Sequence, residues 1–258
     1  MAWTKFPYPE DGYVYTAASV KKAWPRLHVG DAEPFPKKAA LVDAWIAFHA
    51  GQFEEAAKLG LAAGLDGYAV AHKATCIYAN YLEKNEKKKL AMFEEVVERC
   101  ERQQAEQPGN PAGFYWHAYA LGRYAQGISV VKALAQGIAP KVRASLDQTI
   151  ALAPAHSDAH IALGAFHAEI IGSVGAMIGG LTYGVKKEEA YKNFKKAIEL
   201  NADTAIGRIE YANALVTLDG NKKMADAVKL YQLAAAVEPQ DAMERLDVEA
   251  AKEELEDD

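Results

Sequence analysis

A helical hairpin pattern that recurs along the second half of the chain constrains its fold more than any other feature. Residues 157–170, SDAHIALGAFHAEI, alternate small and large apolar side chains at helical spacing. Residues 188–201, EEAYKNFKKAIELN, and 225–239, ADAVKLYQLAAAVEP, share a second pattern of alanines around one aromatic residue. A hairpin of this kind leaves one apolar face uncovered, which a neighbouring hairpin must bury. The pattern predicts an all-α, right-handed α-solenoid.

The two patterns have the spacing of the two helices of a tetratricopeptide repeat. Leu163 and Gly164 occupy the large and small positions of the first helix, and Ala190, Phe194 and Ala197 those of the second. Small residues at a helix crossing let antiparallel helices approach closely, and an aromatic ring fills the space beside them. Residues 44–64 and 90–111 carry weaker versions of the same pattern. We therefore expect tetratricopeptide-like hairpins in both halves of the chain.

Composition agrees with a helical globular protein. Of the 258 residues 50 are alanine, half are apolar and a quarter are charged, which excludes general disorder. The formal net charge is −6, so the chain lacks the basic footprint of a nucleic-acid-binding protein. The first residues lack the apolar core of a secretory signal, and no apolar run predicts a transmembrane segment. We expect a cytoplasmic protein.

The predicted organisation is an N-terminal arm followed by one repeat domain. Residues 1–36 hold five of the ten prolines and many aromatic residues, which predicts an arm, with one short helix over 15–24, packed on the solenoid. Residues 37–258 form the repeat domain, with the clearest repeats at 111–240. Residues 241–258 are charged and amphipathic, as expected of a polar capping helix.

Two apolar insertions lengthen consecutive repeats. Residues 122–141 and 170–185 add turns that a standard repeat lacks, and the second insertion, IIGSVGAMIGGLTYGV, has five glycines. Three interpretations of 170–185 stay open: filling the core, lining a hydrophobic groove or tunnel, and inserting into a membrane surface. Core filling is the preferred interpretation, because glycines permit close helix approach.

The chain resembles a known family over residues 108–240. Residues 110–134, 138–170 and 183–204 resemble the tetratricopeptide-like domain of the regulator of microtubule dynamics family and its bacterial relatives. The match includes Tyr115, Trp116 and the long insertion that ends at Tyr183. More remotely, the chain is similar to the T-component of TRAP transporters, a secreted lipoprotein with a hydrophobic channel through its helices. The resemblance implies a bacterial helical-repeat protein.

Candidate binding residues are aromatic, arginine and insertion side chains. Arginine and aromatic residues anchor many protein interfaces, and first helices of such repeats line the concave face. Packing between repeats is the alternative role for most of these aromatic residues. The predicted partner-binding or ligand-binding residues are Tyr115, Trp116, Tyr119, Arg123, Ile161, Glu169, Met177 and Tyr183.

Metal binding and catalysis find little support in the sequence. His156 and His160 are four residues apart, but the intervening residues lack the glutamate of a zinc-protease motif. We expect His160 and His167 to pack in or near the core, and His156 to lie in the loop before the helix. Cys76 and Cys100 lack the spacing of a zinc site or disulfide framework, which predicts structural free thiols.

The predicted function is a non-catalytic scaffold that binds a protein or peptide partner on a concave, aromatic and apolar face. The alternative is a binder of a small lipophilic ligand in an apolar groove or tunnel formed by the helical array. No nucleophile motif, phosphate-binding loop or cofactor motif is present, so neither an enzyme nor a cofactor is predicted. The pattern leaves the partner and the oligomeric state open.

Overall fold

The computed structural model describes residues 3–8 and 13–256, and within these residues the chain forms fourteen α-helices and no β-strand. The helices are α1 (Ala17–Leu27), α2 (Ala39–His49), α3 (Phe53–Ala62), α4 (Tyr68–Tyr81), α5 (Glu86–Glu106), α6 (Pro111–Gln126), α7 (Val130–Ala135), α8 (Ile138–Leu152), α9 (Ser157–Val174), α10 (Ala176–Tyr183), α11 (Lys187–Leu200), α12 (Ala205–Asp219), α13 (Met224–Ala235) and α14 (Ala242–Glu256). The all-α prediction is confirmed. The outer ends of the predicted arm and cap, and residues 9–12 of the arm, lie outside the described residues.

Polar side chains fix where several helices begin. Asn110 accepts a hydrogen bond from the backbone of Ala112 at the start of α6, where Pro111 takes the first helical position. Thr204 accepts from the backbone N–H of Gly207 in the same way at the start of α12. These caps satisfy backbone donors that the first helical turn leaves unpaired. Each of these two helices therefore has a defined start.

The helices form two compact units. The first unit comprises residues 1–28, 33–153 and 240–243, and the second comprises 29–32, 154–239 and 244–258. In the first unit α2, α3, α4, α5 and α6 pack in succession, and α6 packs against α8. Helix α4 lies at the centre, and every residue from 68 to 79 is buried.

The N-terminal segment of the first unit packs through its aromatic rings. Trp3 stacks on Tyr78 of α4 with ring centroids 4.2 Å apart. Phe6 packs edge-on against Phe53 of α3 at 6.3 Å. Gly51 has a φ of +77°, and a side chain there would collide with the Phe6 ring. The glycine turn between α2 and α3 thus provides a place for this ring.

The second unit is built from α9, α10, α11, α12, α13 and most of α14. Phe194 of α11 is fully buried and stacks on Tyr211 of α12 with ring centroids 5.1 Å apart. A β-carbon at Gly164 of α9 would lie 2.9 Å from the Phe194 ring, so only glycine fits at this crossing. Ala190 and Ala197 flank the ring and are also fully buried. This is the packing that the repeat pattern predicts.

Both predicted insertions contain an additional short helix. Helix α7 lies within residues 122–141 of the first unit, and α10 lies within residues 170–185 of the second. Helix α10 packs against α9 and is bracketed by Gly175 and Gly184, whose φ angles are +84° and +66°. Glycines with positive φ angles let the chain turn sharply at both ends of a short helix.

Candidate functional site

Four of the predicted binding residues form one cluster on α6, which we call the α6 aromatic face: Tyr115, Trp116, Tyr119 and Arg123. The Trp116 ring lies 4.9 Å from that of Tyr115 and 5.3 Å from that of Tyr119, both edge-on. The guanidinium of Arg123 lies 5.4 Å from the centre of the Tyr119 ring and donates a hydrogen bond to Gln126 at 3.1 Å. The cluster follows one helix face because most of its members are three to four residues apart.

Burial divides the α6 aromatic face into two layers. Tyr115 and Trp116 are 6% and 4% exposed, so they pack in the interior of the first unit. Tyr119 and Arg123 are half-buried and reach the surface. The buried pair holds the Tyr119 ring in place, and the Arg123 cation stacks on it. An incoming partner would therefore meet Tyr119 and Arg123 first.

The helices behind this face hold both cysteines. Cys76 of α4 and Cys100 of α5 are buried free thiols, as predicted, and Cys100 Sγ lies 3.4 Å from Nδ1 of His72. Burial raises the pKa of both thiols. Burial, with a smaller contribution from the Arg99 cation, lowers the pKa of His72 to about 3. All three groups are therefore neutral near pH 7, which makes the thiols unreactive.

The other four predicted residues lie in the second unit and are not gathered into one site. Ile161 is buried in the core beside Phe194. Glu169 lies on the exposed side of α9, Met177 on the exposed side of α10, and Tyr183 is half-buried at the end of α10. Ile161 thus has a packing position, whereas Glu169 and Met177 are exposed.

The preferred interpretation of the 170–185 insertion is wrong for three of its large apolar side chains. Met177, Ile178 and Leu181 are 79%, 58% and 85% exposed, so they neither fill a core nor line an interior tunnel. Only Gly179 and Val185 of this segment are buried, where α10 meets α9. The glycines permit α10 to pack closely on α9, as expected, but in this packing the large apolar side chains of α10 face the solvent.

The three histidines near the start of α9 have structural partners. His156 is buried just before the helix, where its Nδ1 accepts a hydrogen bond from the backbone of Ala159 at 3.1 Å. His160 is half-buried and donates to Asn193 at 2.9 Å, while buried His167 accepts from the backbone of Lys186 at 3.2 Å. These positions confirm the packing prediction. Among residues 3–8 and 13–256, no group of three His, Cys, Asp or Glu residues could hold a metal ion.

A serine, a histidine and a glutamate line up between α5, α6 and α8. His117 Nδ1 lies 2.8 Å from Ser145 Oγ, and its Nε2 lies 3.7 Å from a carboxylate oxygen of Glu101. Ser145 is 5% exposed inside the helix packing, and burial lowers the pKa of His117. A nucleophile must reach its substrate, and this hydroxyl does not. The contact between His117 and Ser145 is therefore a buried polar contact between α6 and α8.

A buried polar cluster in the first unit was not predicted from the sequence. Nδ1 of His49 donates to a carboxylate oxygen of Asp241 at 2.7 Å, and its Nε2 lies 3.3 Å from Nε2 of His28. Trp24 stacks on His28 at 3.8 Å, and Trp45 stacks on His49 at 6.0 Å. A tryptophan followed four residues later by histidine occurs at both α1 and α2, and this repetition is the signal that could have indicated the cluster. Sealed from solvent, the cluster holds helices together.

No helix in the described part of the chain is long and apolar enough to cross a membrane. A family model described as regulator of microtubule dynamics protein 1-3 matches residues 68–257, about three quarters of the chain. Comparison with curated proteins gave no match.

A solved structure supports the fold. The chain is similar to the crystal structure of a thermophilic TPR protein from Thermus thermophilus, with a TM-score of 0.57 and 16% sequence identity. The similarity covers 83% of this chain and 97% of that protein. At this identity the likeness concerns the fold, and it supports a tetratricopeptide-like α-solenoid.

Proposed function

Because the chain belongs to the family of regulator of microtubule dynamics proteins 1-3, we propose that it is a non-catalytic scaffold that binds a protein or peptide partner. The proposed contact surface is the α6 aromatic face, which lies inside the matched residues. The observation that carries the proposal is the pairing of half-buried Tyr119 and Arg123 over a buried aromatic layer. Helical repeats of this type commonly present such surfaces to other proteins.

The chemistry of this pair suits a protein interface. A tyrosine ring offers a large rigid contact area at low entropic cost, and arginine adds a cation and several hydrogen-bond donors. Edge-on packing against Trp116 restrains the Tyr119 ring before a partner arrives. A restrained anchor loses less freedom on binding, which favours affinity. Tyr115 supports the anchor from inside and is proposed to act through it.

A scaffold role without catalysis is consistent with the polar groups of the molecule. His117 of α6 and Ser145 of α8 are buried, and the thiols of Cys76 and Cys100 have raised pKa values. We place the scaffold in the bacterial cytoplasm, where unpaired thiols such as Cys76 and Cys100 stay reduced.

Site-specific crosslinking tests the proposal. In the test variant a photoreactive phenylalanine analogue replaces Tyr119. In the control variant the same analogue replaces Arg102, whose exposed side chain lies on α5 of the same unit. After irradiation in source cells, mass spectrometry identifies the crosslinked peptide. We expect one partner at a fixed ratio from position 119 and none of it from position 102. The same crosslinks from both positions would contradict a specific α6 surface.

Binding of the identified partner then gives the energetic test. We expect the double variant Tyr119→Ala, Arg123→Ala to weaken binding at least about tenfold, since aromatic and arginine anchors dominate interface energies. Arg102→Ala removes an exposed arginine that pairs with Glu106 on the same helix, and it should leave binding unchanged. Isothermal titration measures both. Unchanged binding by the double variant would overturn the assignment of the surface.

A further inference from the structure

The α10 helix presents an apolar face to solvent that the scaffold role does not use. A β-carbon on Gly179 would lie 2.8 Å from Cγ2 of Val185, so the glycine side of α10 faces the body of the second unit. Met177, Ile178 and Leu181 occupy the opposite side and are mostly exposed. No charged side chain occurs anywhere in residues 170–185. An exposed apolar helix face of this kind usually marks a contact with another apolar phase.

Two contacts place other segments at the same end of the second unit. A β-carbon on Gly172 of α9 would lie 2.7 Å from Cγ2 of Thr217 in α12. Lys187, at the start of α11, pairs with Asp219 at the end of α12. The end of α9 and the start of α11, which precede and follow α10 along the chain, therefore lie beside the end of α12 and the turn Gly220–Lys223. We call this group of segments the α10 tip.

The charges of the α10 tip are mainly paired, with exposed cations left over. Asp219 is held by Lys187, and Lys223 pairs with Asp226 at 2.6 Å. Lys186 and Lys222 are exposed and form no ion pair with the residues that the structure describes. Two exposed acids border the same segments: Glu169 near the end of α9 and Glu188 at the start of α11. Two exposed lysines without an ion pair among the described residues thus belong to the α10 tip, whose helix α10 is uncharged, whereas the chain as a whole carries a net charge of −6.

We propose that the α10 tip docks on the surface of a lipid bilayer that contains anionic headgroups. Met177, Ile178 and Leu181 would enter the boundary between headgroups and acyl chains, and Lys186 and Lys222 would contact headgroup phosphates. Apolar side chains beside lysines are the combination that binds peripheral proteins to anionic membranes. The site is separate from the α6 aromatic face, and its function does not depend on the scaffold proposal.

A bilayer fits the α10 tip better than a second copy of the chain. The three exposed side chains present on the order of 400 Å² together, about half of the roughly 800 Å² per partner that a stable protein interface buries. The helix also offers no charged or amide side chain that would fix the orientation of a protein partner. A fluid apolar phase needs no such orientation, and short apolar wedges are sufficient for reversible attachment.

Vesicle flotation tests the proposal with the full chain. The vesicles contain either phosphatidylcholine alone or phosphatidylcholine with about one-third phosphatidylserine. We expect the protein to float with the anionic vesicles, and raised salt to weaken this binding by screening. Met177→Gln with Leu181→Gln should weaken it at least about tenfold. Leu61→Gln with Leu134→Gln, which changes exposed leucines of the first unit, should leave it unchanged.

A fluorescent label measures insertion directly. Cys76 and Cys100 are buried, so Leu181→Cys adds the one exposed thiol among the described residues. An environment-sensitive dye on this cysteine should brighten and shift to the blue with anionic vesicles. The same dye on Leu134→Cys should not change. Circular dichroism confirms that each variant keeps its helix content.

Three results would overturn the membrane proposal. The first is a wild-type protein that floats with neither vesicle. The second is flotation that survives Met177→Gln with Leu181→Gln while the dye at position 181 stays silent. The third is a wild-type protein that binds no vesicles but self-associates in the ultracentrifuge, while the variant Met177→Gln with Leu181→Gln stays monomeric. This result would assign the face to a second copy of the chain. Because Tyr119→Ala with Arg123→Ala should float normally, failure of the scaffold proposal remains distinguishable.

Discussion

Helices α4 and α10 are both rich in apolar residues and yet have opposite environments. Helix α4 buries every residue from 68 to 79, including the cation of Lys73, which lies over the rings of Trp45 and Phe48. Helix α10 has no charged residue and buries only Gly179. Helix α4 packs against α2, α3, α5 and α6, whereas α10 packs mainly against α9. The number of neighbouring helices, and not apolarity, decides which side chains are buried.

This difference separates a structural role from an interaction role. A lysine in α4 is tolerated because its stem packs among rings and its cation rests on aromatic faces. The exposed methionine and leucine of α10 contribute little to folding, since water still surrounds them. Substitutions in α4 should therefore act on stability, and substitutions in α10 should act on binding.

The largest expected effect on the free energy of unfolding comes from replacing Tyr78 of α4. The Tyr78 ring is 2% exposed and stacks on Trp3, and its hydroxyl accepts a hydrogen bond from the backbone of Thr4 at 3.0 Å. We expect Tyr78→Ala to lower the free energy of unfolding by about 3–5 kcal/mol, as for other buried aromatic residues. Leu181→Ala in α10 should change it by less than about 0.5 kcal/mol. Urea denaturation followed by circular dichroism measures both, and equal losses would refute the contrast between the two helices.

An intermediate effect is expected for the pH dependence of stability. Burial lowers the pKa of His72 in α4 to about 3. Below pH 6.5 this histidine is therefore protonated in the unfolded chain but stays neutral in the folded chain. Stability present above pH 6.5 is therefore lost as the pH falls toward 3. By pH 5 this loss is about 2 kcal/mol, and His72→Leu should remove it.

Denaturation curves at several pH values between 7 and 4 test the His72 prediction. The variant should lose less stability than the wild type over this range, because other groups titrate alike in both proteins. Helix α10, AMIGGLTY, has no side chain that titrates there. Parallel losses in wild type and variant would show that His72 is protonated in the folded protein.

The smallest effect is expected for two adjacent glycines of α10. A β-carbon on Gly180 would meet nothing closer than the carbonyl oxygen of Val185 at 3.6 Å, so Gly180→Ala should stabilise the helix by about 0.5–1 kcal/mol. Gly179→Ala should lack this gain, because its β-carbon would lie 2.8 Å from the buried Val185 side chain. Hydrogen exchange of the α10 amides distinguishes the two variants. Equal protection in both would mean that α10 does not pack on α9 through Gly179.

Much of the second unit could be predicted because its repeats encode local packing. Ala190, Phe194 and Ala197 are buried at the expected positions, and Gly164 makes room for the Phe194 ring. Small and large residues at fixed spacing specify how two successive helices cross, and both helices of such a pair lie close in sequence. The position of His156 just before α9 follows from Pro154 in the same local way.

The remaining features depend on contacts that no local pattern records. The sequence indicated an aromatic cluster on α6, but Trp116 is buried and Tyr119 is half-buried because α5 and α8 pack on one side of the helix. The exposure of Leu181 depends on the absence of a further helix over α10 among the described residues. The pairing of His49 with Asp241 joins residues 192 positions apart. Such long-range pairings depend on the topology of the fold and produce no periodic pattern in the sequence.

The carboxylate beside His49 has a consequence for the order in which the protein forms. Residues 240–243 belong to the first unit, and Gln240 also accepts a hydrogen bond from the hydroxyl of Tyr15 at 2.7 Å. During synthesis the N-terminal helices emerge long before these residues do, and domains tend to fold as they leave the ribosome. The interior of the first unit therefore stays incomplete until residues 240–243 have been synthesised. Until Asp241 has been synthesised, the imidazole N–H of His49 has no carboxylate to accept its hydrogen bond, so the pace of synthesis sets when the fold is complete.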